Sequence, residues 1–239
     1  MTGTVLNVAS VLLGGSLGLA FGNRLPERVR STVTSALGLF TLAIGVRLFL
    51  QTESPLIALG SLALGGLLGE WWQVEQRLTG IGARLEARFA RSGEVEGAGG
   101  RFVRGFLTAT LLFEVGPMTI LGSIQDGLTG DYSLLAIKST LDGFAALALA
   151  SAFGMGVMFS TVGVLAYQGG LTLIAGQAQA VLSPGMMAEM TAVGGVLLIG
   201  LAIGSLLELR PIRTGNLLPA LVVAPVLVWV VAQVAVLLQ

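Results

Sequence analysis

The sequence predicts an all-α protein, a polytopic transmembrane helical bundle of about eight spans with an added cytoplasmic amphipathic helix. Three observations predict it. Of 239 residues, 54% are hydrophobic and only 11% are charged, well under the roughly 25% charge of a soluble domain. Nearly uncharged apolar runs of about 20 residues recur along the chain, the length a helix needs to cross hydrocarbon. The arginines fall in alternate loops, as the preference of basic residues for cytoplasmic loops requires. The 35 glycines suit membrane helices whose backbones approach closely. Zero net charge gives no reason to expect a nucleic-acid partner. The partner that the composition does imply is membrane lipid.

The spans are expected at 3–22, 33–50, 54–70, 102–123, 134–153, 156–175, 187–207 and 216–238, in one domain covering 1–239. Residues 2–22 lack a basic leader and form a run long enough to be a true span. The block 134–175 holds two spans if the chain turns near Gly154 and Gly156; otherwise seven helices or a re-entrant pair result. Arginines decide between these. Arg24, Arg28 and Arg30 lie in the first loop, Arg77, Arg84, Arg88, Arg91 and Arg101 in the third, and Arg210 and Arg213 in the seventh. Odd loops inside and even loops outside is the pattern of eight spans with both termini outside. Between spans three and four, Val74, Leu78, Ile81, Leu85 and Phe89 recur at helical spacing among arginines. This predicts an amphipathic helix lying on the cytoplasmic membrane surface. Residues 92–100 read as a flexible linker.

Spans one and three share a weak repeat, Ser10 to Gly18 against Ser61 to Gly69, with paired glycines at Gly14-Gly15 and Gly65-Gly66. Faces of small residues fit internal packing or a homodimer contact.

Carboxylates inside apolar runs are the candidates for chemistry, because a charge in hydrocarbon is costly without a partner or a task. Glu114 lies near the middle of span four. Pro117 follows it and cannot donate to the carbonyl of Phe113. A carboxylate beside an interrupted helix is a frequent way to build an ion site in a transporter; a protonated, hydrogen-bonded structural Glu fits as well. Asp142 lies in span five, four residues after Lys138, so both occupy one helix face. If the two pair, their charges partly cancel and the motif is structural; the favoured expectation is that Lys138 snorkels to the headgroups, leaving Asp142 as a cation or proton ligand. Asp126 sits in the acidic, glycine-rich stretch between spans four and five, where Asp131 reads as a turn residue. Asn7, Gln168 and Asn216 offer amides for an ion or for helix packing. Pro219 and Pro225 are expected to mark the start of span eight and a kink within it. Glu189 is expected to face solvent at the outer end of span seven, and Arg47 to snorkel.

The chain has no Cys and no His, which excludes disulfides and ordinary zinc, copper, haem and iron–sulfur sites. No cofactor is expected, and any metal would be a hard cation held by oxygens. Asp142-Gly143-Phe-Ala-Ala146 matches the opening of a phosphotransferase signature, but Leu147 stands where that signature needs Arg. No enzymatic activity is expected.

The run Gly3-Thr-Val-Leu-Asn7, then Gly14-Gly15 and Gly22-Asn-Arg-Leu-Pro26-Glu, resembles a bacterial integral-membrane family of unknown function, the YqgA/YdfK-like proteins of domain of unknown function 554. So do Gly122 to Asp131, Lys138-Ser-Thr-Leu-Asp142-Gly143, Tyr167-Gln168-Gly169 and Gly215 to Ala220. The resemblance implies a shared fold over nearly the whole chain and a bacterial cytoplasmic-membrane location. It places Asp126 and Asp142 inside matched motifs. The function the residues suggest is a small secondary transporter or channel for a cation, with proton coupling through a carboxylate that carries the proton. A membrane scaffold acting through 71–101, or a carrier of a lipid or small organic substrate, are the other readings.

Overall fold

The structure, a computed structural model, describes residues 1–22, 26–89 and 98–237. Arg24, Arg91 and most of the expected linker 92–100 lie outside the described residues. Helices follow one another as α1 (Thr2–Gly22), α2 (Glu27–Phe49), α3 (Pro55–Trp72), α4 (Val74–Phe89), α5 (Ala98–Glu114) and α6 (Pro117–Thr129). Then come α7 (Ser133–Phe153), α8 (Ser160–Leu173), α9 (Ala175–Val181), α10 (Pro184–Leu201) and α11 (Ala220–Leu237). Short 3-10 turns occupy Gly154–Val157 and Thr214–Leu217, and a π-helical turn occupies Ala202–Leu206. Among the described residues there is no strand.

Six helical segments are long and apolar enough to cross a membrane, and α5 with α6 makes a seventh if that bent pair is one span. The helix ends sort into two groups. At one end, called end A, Gly22 meets Ser151, Arg101 donates to the Ala152 carbonyl at 3.0 Å, and Glu75 meets Gly215. At end B, Gly3 meets Leu135, Gly127 meets Thr172, and Gly185 meets Glu53. The chain therefore passes between the ends in turn through α1, α2, α3, α5–α6, α7, α8, α10 and α11. Met1 and Leu237 lie at end B, and the described arginines of the expected odd loops lie at end A.

Two passes depart from a plain spanning helix. The fourth is broken between Glu114 and Pro117, with a bend of 64° between its halves. The sixth, expected over 156–175, has its helix α8 over 14 residues, about 21 Å by helix rise against a hydrocarbon core of about 30 Å. The 3-10 turn Gly154–Val157 precedes it and α9 follows it. Gly154 makes the expected turn, with φ +82°, a left-handed value that glycine tolerates without strain. Helix α11 continues through Pro225, which therefore does not break it. Pro219 precedes the first residue of α11.

Helix α4 lies at end A with Gly82 against Phe106 and Val103 of α5. Its first turn is fastened to the start of the last pass. Asn216 Oδ1 accepts the Glu75 N–H at 2.8 Å, and Glu75 Oε2 accepts the Gly215 N–H at 3.0 Å. Asn216 also donates to Glu70, which pairs with Arg213. Burial pushes the Glu75 carboxyl above its ordinary pKa, and the Gly215 bond opposes the shift.

Both glycine stripes are used internally. A Cβ on Gly14 would stand 2.0 Å from the Gly143 carbonyl oxygen, and one on Gly18 would stand 2.2 Å from that of Leu147. The stripe of α3 packs likewise on Ala220 and Asn216 through Gly65 and Gly69. Two apolar cores result. Val11, Phe113, Ala146, Leu149 and Val164 belong to one, and Ala58, Val115, Leu197, Leu201 and Ala220 to the other. Helix α5 contributes to both, so the chain breaks at the centre of the molecule.

Candidate functional site

The break begins with Pro117. Its ring nitrogen has no hydrogen to give, so the last turn of α5 loses a bond. Gly116 takes φ +149°, a conformation that suits glycine. The Phe113 carbonyl does not stay unpaired, since the Thr119 hydroxyl donates to it at 3.2 Å. Glu114 is left as the last residue of α5. It is 8% exposed, and both of its carboxylate oxygens are buried without a hydrogen-bond partner.

Helix α7 supplies Lys138 and Asp142 one turn apart. The expectation that Lys138 snorkels is wrong. Lys138 is buried and its ammonium pairs with Asp142 Oδ2. An ammonium held four residues from a carboxylate on a covered helix face is better stabilised by that carboxylate than by distant headgroups. Both charges lie within electrostatic reach of Glu114. By helix rise, Asp142 stands about 14 Å from the end-B start of α7, near the middle of the bundle.

Helices α1 and α8 complete the centre. Asn7 Nδ2 donates to Asp142 Oδ2 at 3.0 Å and to Gln168 Oε1 at 2.9 Å. Gln168 Nε2 donates to Thr4 Oγ1 at 3.3 Å. Asn7 and Gln168 are fully buried. Asn7 Oδ1 has no hydrogen-bond partner. Tyr167 of α8 lies within electrostatic reach of Glu114.

Four of the seven expected residues are therefore joined, Lys138, Asp142, Asn7 and Gln168, and Glu114 lies within electrostatic reach of Lys138 and Asp142. Two are not. Asp126 lies at end B, where it accepts the Gly3 N–H at 3.0 Å and stands 3.0 Å from the amino group of Met1. Asn216 is the fastening of α4 at end A. Glu189 also requires correction. It is 1% exposed and caps the start of α3, accepting from Thr52 Oγ1 and, at 2.8 Å each, from the N–H groups of Glu53 and Ser54. A helix N-terminus attracts a carboxylate because its first N–H groups have no partner in the helix. Arg47 is exposed. Asp131 lies in the turn before α7, where the side chain and N–H of Ser133 hold its carboxyl below the ordinary range.

Sequence reasoning passed over Thr4, Thr119, Ser123 and Thr172, which are all buried. The signal for Thr119 was its place two residues after Pro117. It also missed Arg104, whose guanidinium donates to the Ser205 carbonyl in the π turn, pairs with Glu208 and lies 5.0 Å from the centre of the Phe153 ring.

With two carboxylates and one ammonium, the fully ionised centre carries one uncompensated negative charge. It can hold a proton or a singly charged cation and thereby become neutral. The exterior around it is apolar, with Leu13, Leu39, Leu59, Phe144 and Val222 all exposed.

Apolar helices on the outside and a buried charged centre define a polytopic helical membrane protein. The chain belongs to the family described as "Protein of unknown function (DUF554)", whose model matches residues 2–229. Among its relatives, the "Uncharacterized membrane protein YdfK" of Bacillus subtilis (strain 168) is 31% identical over 235 residues, 97% of each chain. The "Uncharacterized protein YqgA" of Escherichia coli (strain K12) is 34% identical over 223 residues, 93% of this chain and 94% of the relative. No solved structure matches the chain.

Proposed function

We propose that this protein is a small secondary transporter or channel for a cation, with a proton or a monovalent ion as the species held at Glu114. The observation that carries this reading is the pair of buried, unpartnered carboxylate oxygens of Glu114 beside a broken helix. An ionised carboxylate cannot remain there alone, because the desolvation cost is several kcal/mol or more. A proton or a cation removes that cost. Lys138 already neutralises Asp142, so the centre lacks one positive charge. Broken membrane helices are also a recurrent way of presenting backbone groups to an ion.

End A is cytoplasmic in this reading, since the arginines of three loops gather there. The membrane is the bacterial cytoplasmic membrane.

The test is ion flux in proteoliposomes with Na⁺, K⁺, Mg²⁺, Ca²⁺, Mn²⁺ and H⁺, using wild type, Glu114→Gln and Asp142→Asn. Flux of at least one ion is expected in the wild type, falling at least tenfold in Glu114→Gln. Wild-type flux in both variants would sink the reading. Silence of folded wild type across the panel would move it to a lipid or organic substrate, or to a scaffold acting through α4.

A further inference from the structure

One face of α5 leads from end A to Glu114. Arg104, Leu107, Leu111 and Glu114 follow one another at spacings of three, four and three, so they share one side of the helix. Two cavities lie along that side. The outer one, about 380 Å³, lies between α4 and α5 and is lined by Thr79, Glu86, Arg104, Leu107 and Ser205. The inner one, about 40 Å³, is lined by Glu75, Leu107, Leu111, Ser205 and Thr214. That is room for about three water molecules. The two adjoin, since Leu107 and Ser205 belong to the walls of both. By helix rise, Leu111 stands about 4.5 Å short of Glu114.

The charges along this face suit a cation. Glu86 lines the outer cavity and Glu75 the inner one, while Arg104 of the outer cavity is paired with Glu208. Arg104 also fixes the shared wall by donating to the Ser205 carbonyl in the π turn, and such turns recur at functional sites. Next to Leu111 stands Thr110, on the same side of α5 and one turn before Glu114. Its hydroxyl is buried without a hydrogen-bond partner, as are both oxygens of Glu114. A helical threonine can satisfy itself on the carbonyl four residues back, as Thr140 and Thr172 do. Thr110 does not. The Thr108 hydroxyl is unpartnered too, but Thr108 lies on another face of the helix.

We propose that Glu114 exchanges its proton or cation with the cytoplasm through these two cavities, with the Thr110 hydroxyl as the oxygen between the inner cavity and the carboxylate, and with Leu111 closing the last step. This rests on the transport reading and adds to it the side from which the site is reached. Leu111 is 6% exposed, so the structure corresponds to a state that faces end A and is shut at that side chain.

The chain has no Cys, so single-Cys variants of the full-length protein carry one thiol each. The probe is Ag⁺ in nitrate buffer, a monovalent cation that bonds thiolates. It is applied to right-side-out and to inverted membrane vesicles, and the thiol left unreacted is counted with a maleimide after quenching and denaturation. Asp131→Cys and Arg210→Cys mark the two faces. From the Arg210 face, Leu107→Cys and Glu114→Cys are expected to react at least tenfold faster than Ala109→Cys, which is fully buried on the opposite side of α5. Adding Leu111→Ala should speed the reaction of Glu114→Cys severalfold. From the Asp131 face, Glu114→Cys should react at least tenfold more slowly than from the Arg210 face. Reaction of Glu114→Cys as fast or faster from the Asp131 face overturns the proposal, as does silence from the Arg210 face even with Leu111→Ala. If Glu114→Cys fails to fold, Thr110→Cys carries the same comparison. Ion flux in the wild type with position 114 reached from the Asp131 face refutes the route and leaves the transport reading standing. Position 114 reached from the Arg210 face without flux in the wild type refutes the transport reading alone.

Discussion

Lys138 and Asp142 illustrate how a buried pair differs from a surface one. Exposed ion pairs are worth little, but removing one partner of a buried pair leaves a charge with no compensation, at about 3–5 kcal/mol. Lys138→Met is therefore expected to lower the melting temperature in detergent substantially. The double variant Lys138→Met, Asp142→Asn should recover most of that loss. Equal melting of single and double variants would show that pairing is not the reason for the burial. The residue scale was half legible. A carboxylate, an amide and a lysine inside apolar runs stand out in the sequence, and Asp142, Asn7, Gln168 and Lys138 do meet, with Glu114 within electrostatic reach. The fate of Lys138 was not legible, because a spacing of four serves a pair and a snorkelling side chain equally. Which one occurs depends on α1 covering that face of α7. Glu189 failed for a similar reason. Its partners Glu53 and Ser54 lie 136 and 135 residues away, beyond any local pattern.

Proline shows what an element reads and what it does not. Pro117 and Pro225 both sit inside apolar runs. The break occurs at Pro117 because Gly116 precedes it and adopts a positive φ, and because the Thr119 hydroxyl takes up the freed Phe113 carbonyl. Ala224 precedes Pro225 and is fully buried, and α11 runs on. Thr119→Val is expected to leave that carbonyl unpaired and to destabilise the fold by about 1–3 kcal/mol, measured as reduced resistance to denaturant in detergent. The glycine stripes are a second case. They were legible as close-packing faces, and the structure supplies the partner helices. Gly14→Leu should prevent α1 from seating on α7 and remove the monodisperse peak in gel filtration. Gly170→Ala, where a Cβ meets nothing within 4 Å, should keep it. Loss of the peak in both would argue against a specific role for the α1–α7 contact.

For the whole molecule, the alternation of arginine-bearing loops indicated eight passes, and the helix ends sort that way. Length alone gives six helical segments, or seven with the bent pair, because neither a broken pass nor a pass built on a short helix resembles an uninterrupted apolar span. The topology leads to a prediction. Alkaline phosphatase fused after Leu237 should be active, and fused after Arg210 inactive, since the enzyme folds only outside the cytoplasm. The opposite result would invert the membrane orientation proposed for end A.

The bond between Asn7 and Asp142 spans 135 positions of the chain. At about 5–20 residues per second, the ribosome needs on the order of ten seconds to make the aspartate after the asparagine. During that interval α1 waits in the lipid bilayer with its amide unmatched, and Glu114 arrives before Lys138 exists to offset its field. The centre can close only when more than half of the polypeptide has been delivered. A nascent chain interrupted before α7 thus leaves the Asn7 Nδ2 group without either of the acceptors, Asp142 and Gln168, that it has in the finished molecule.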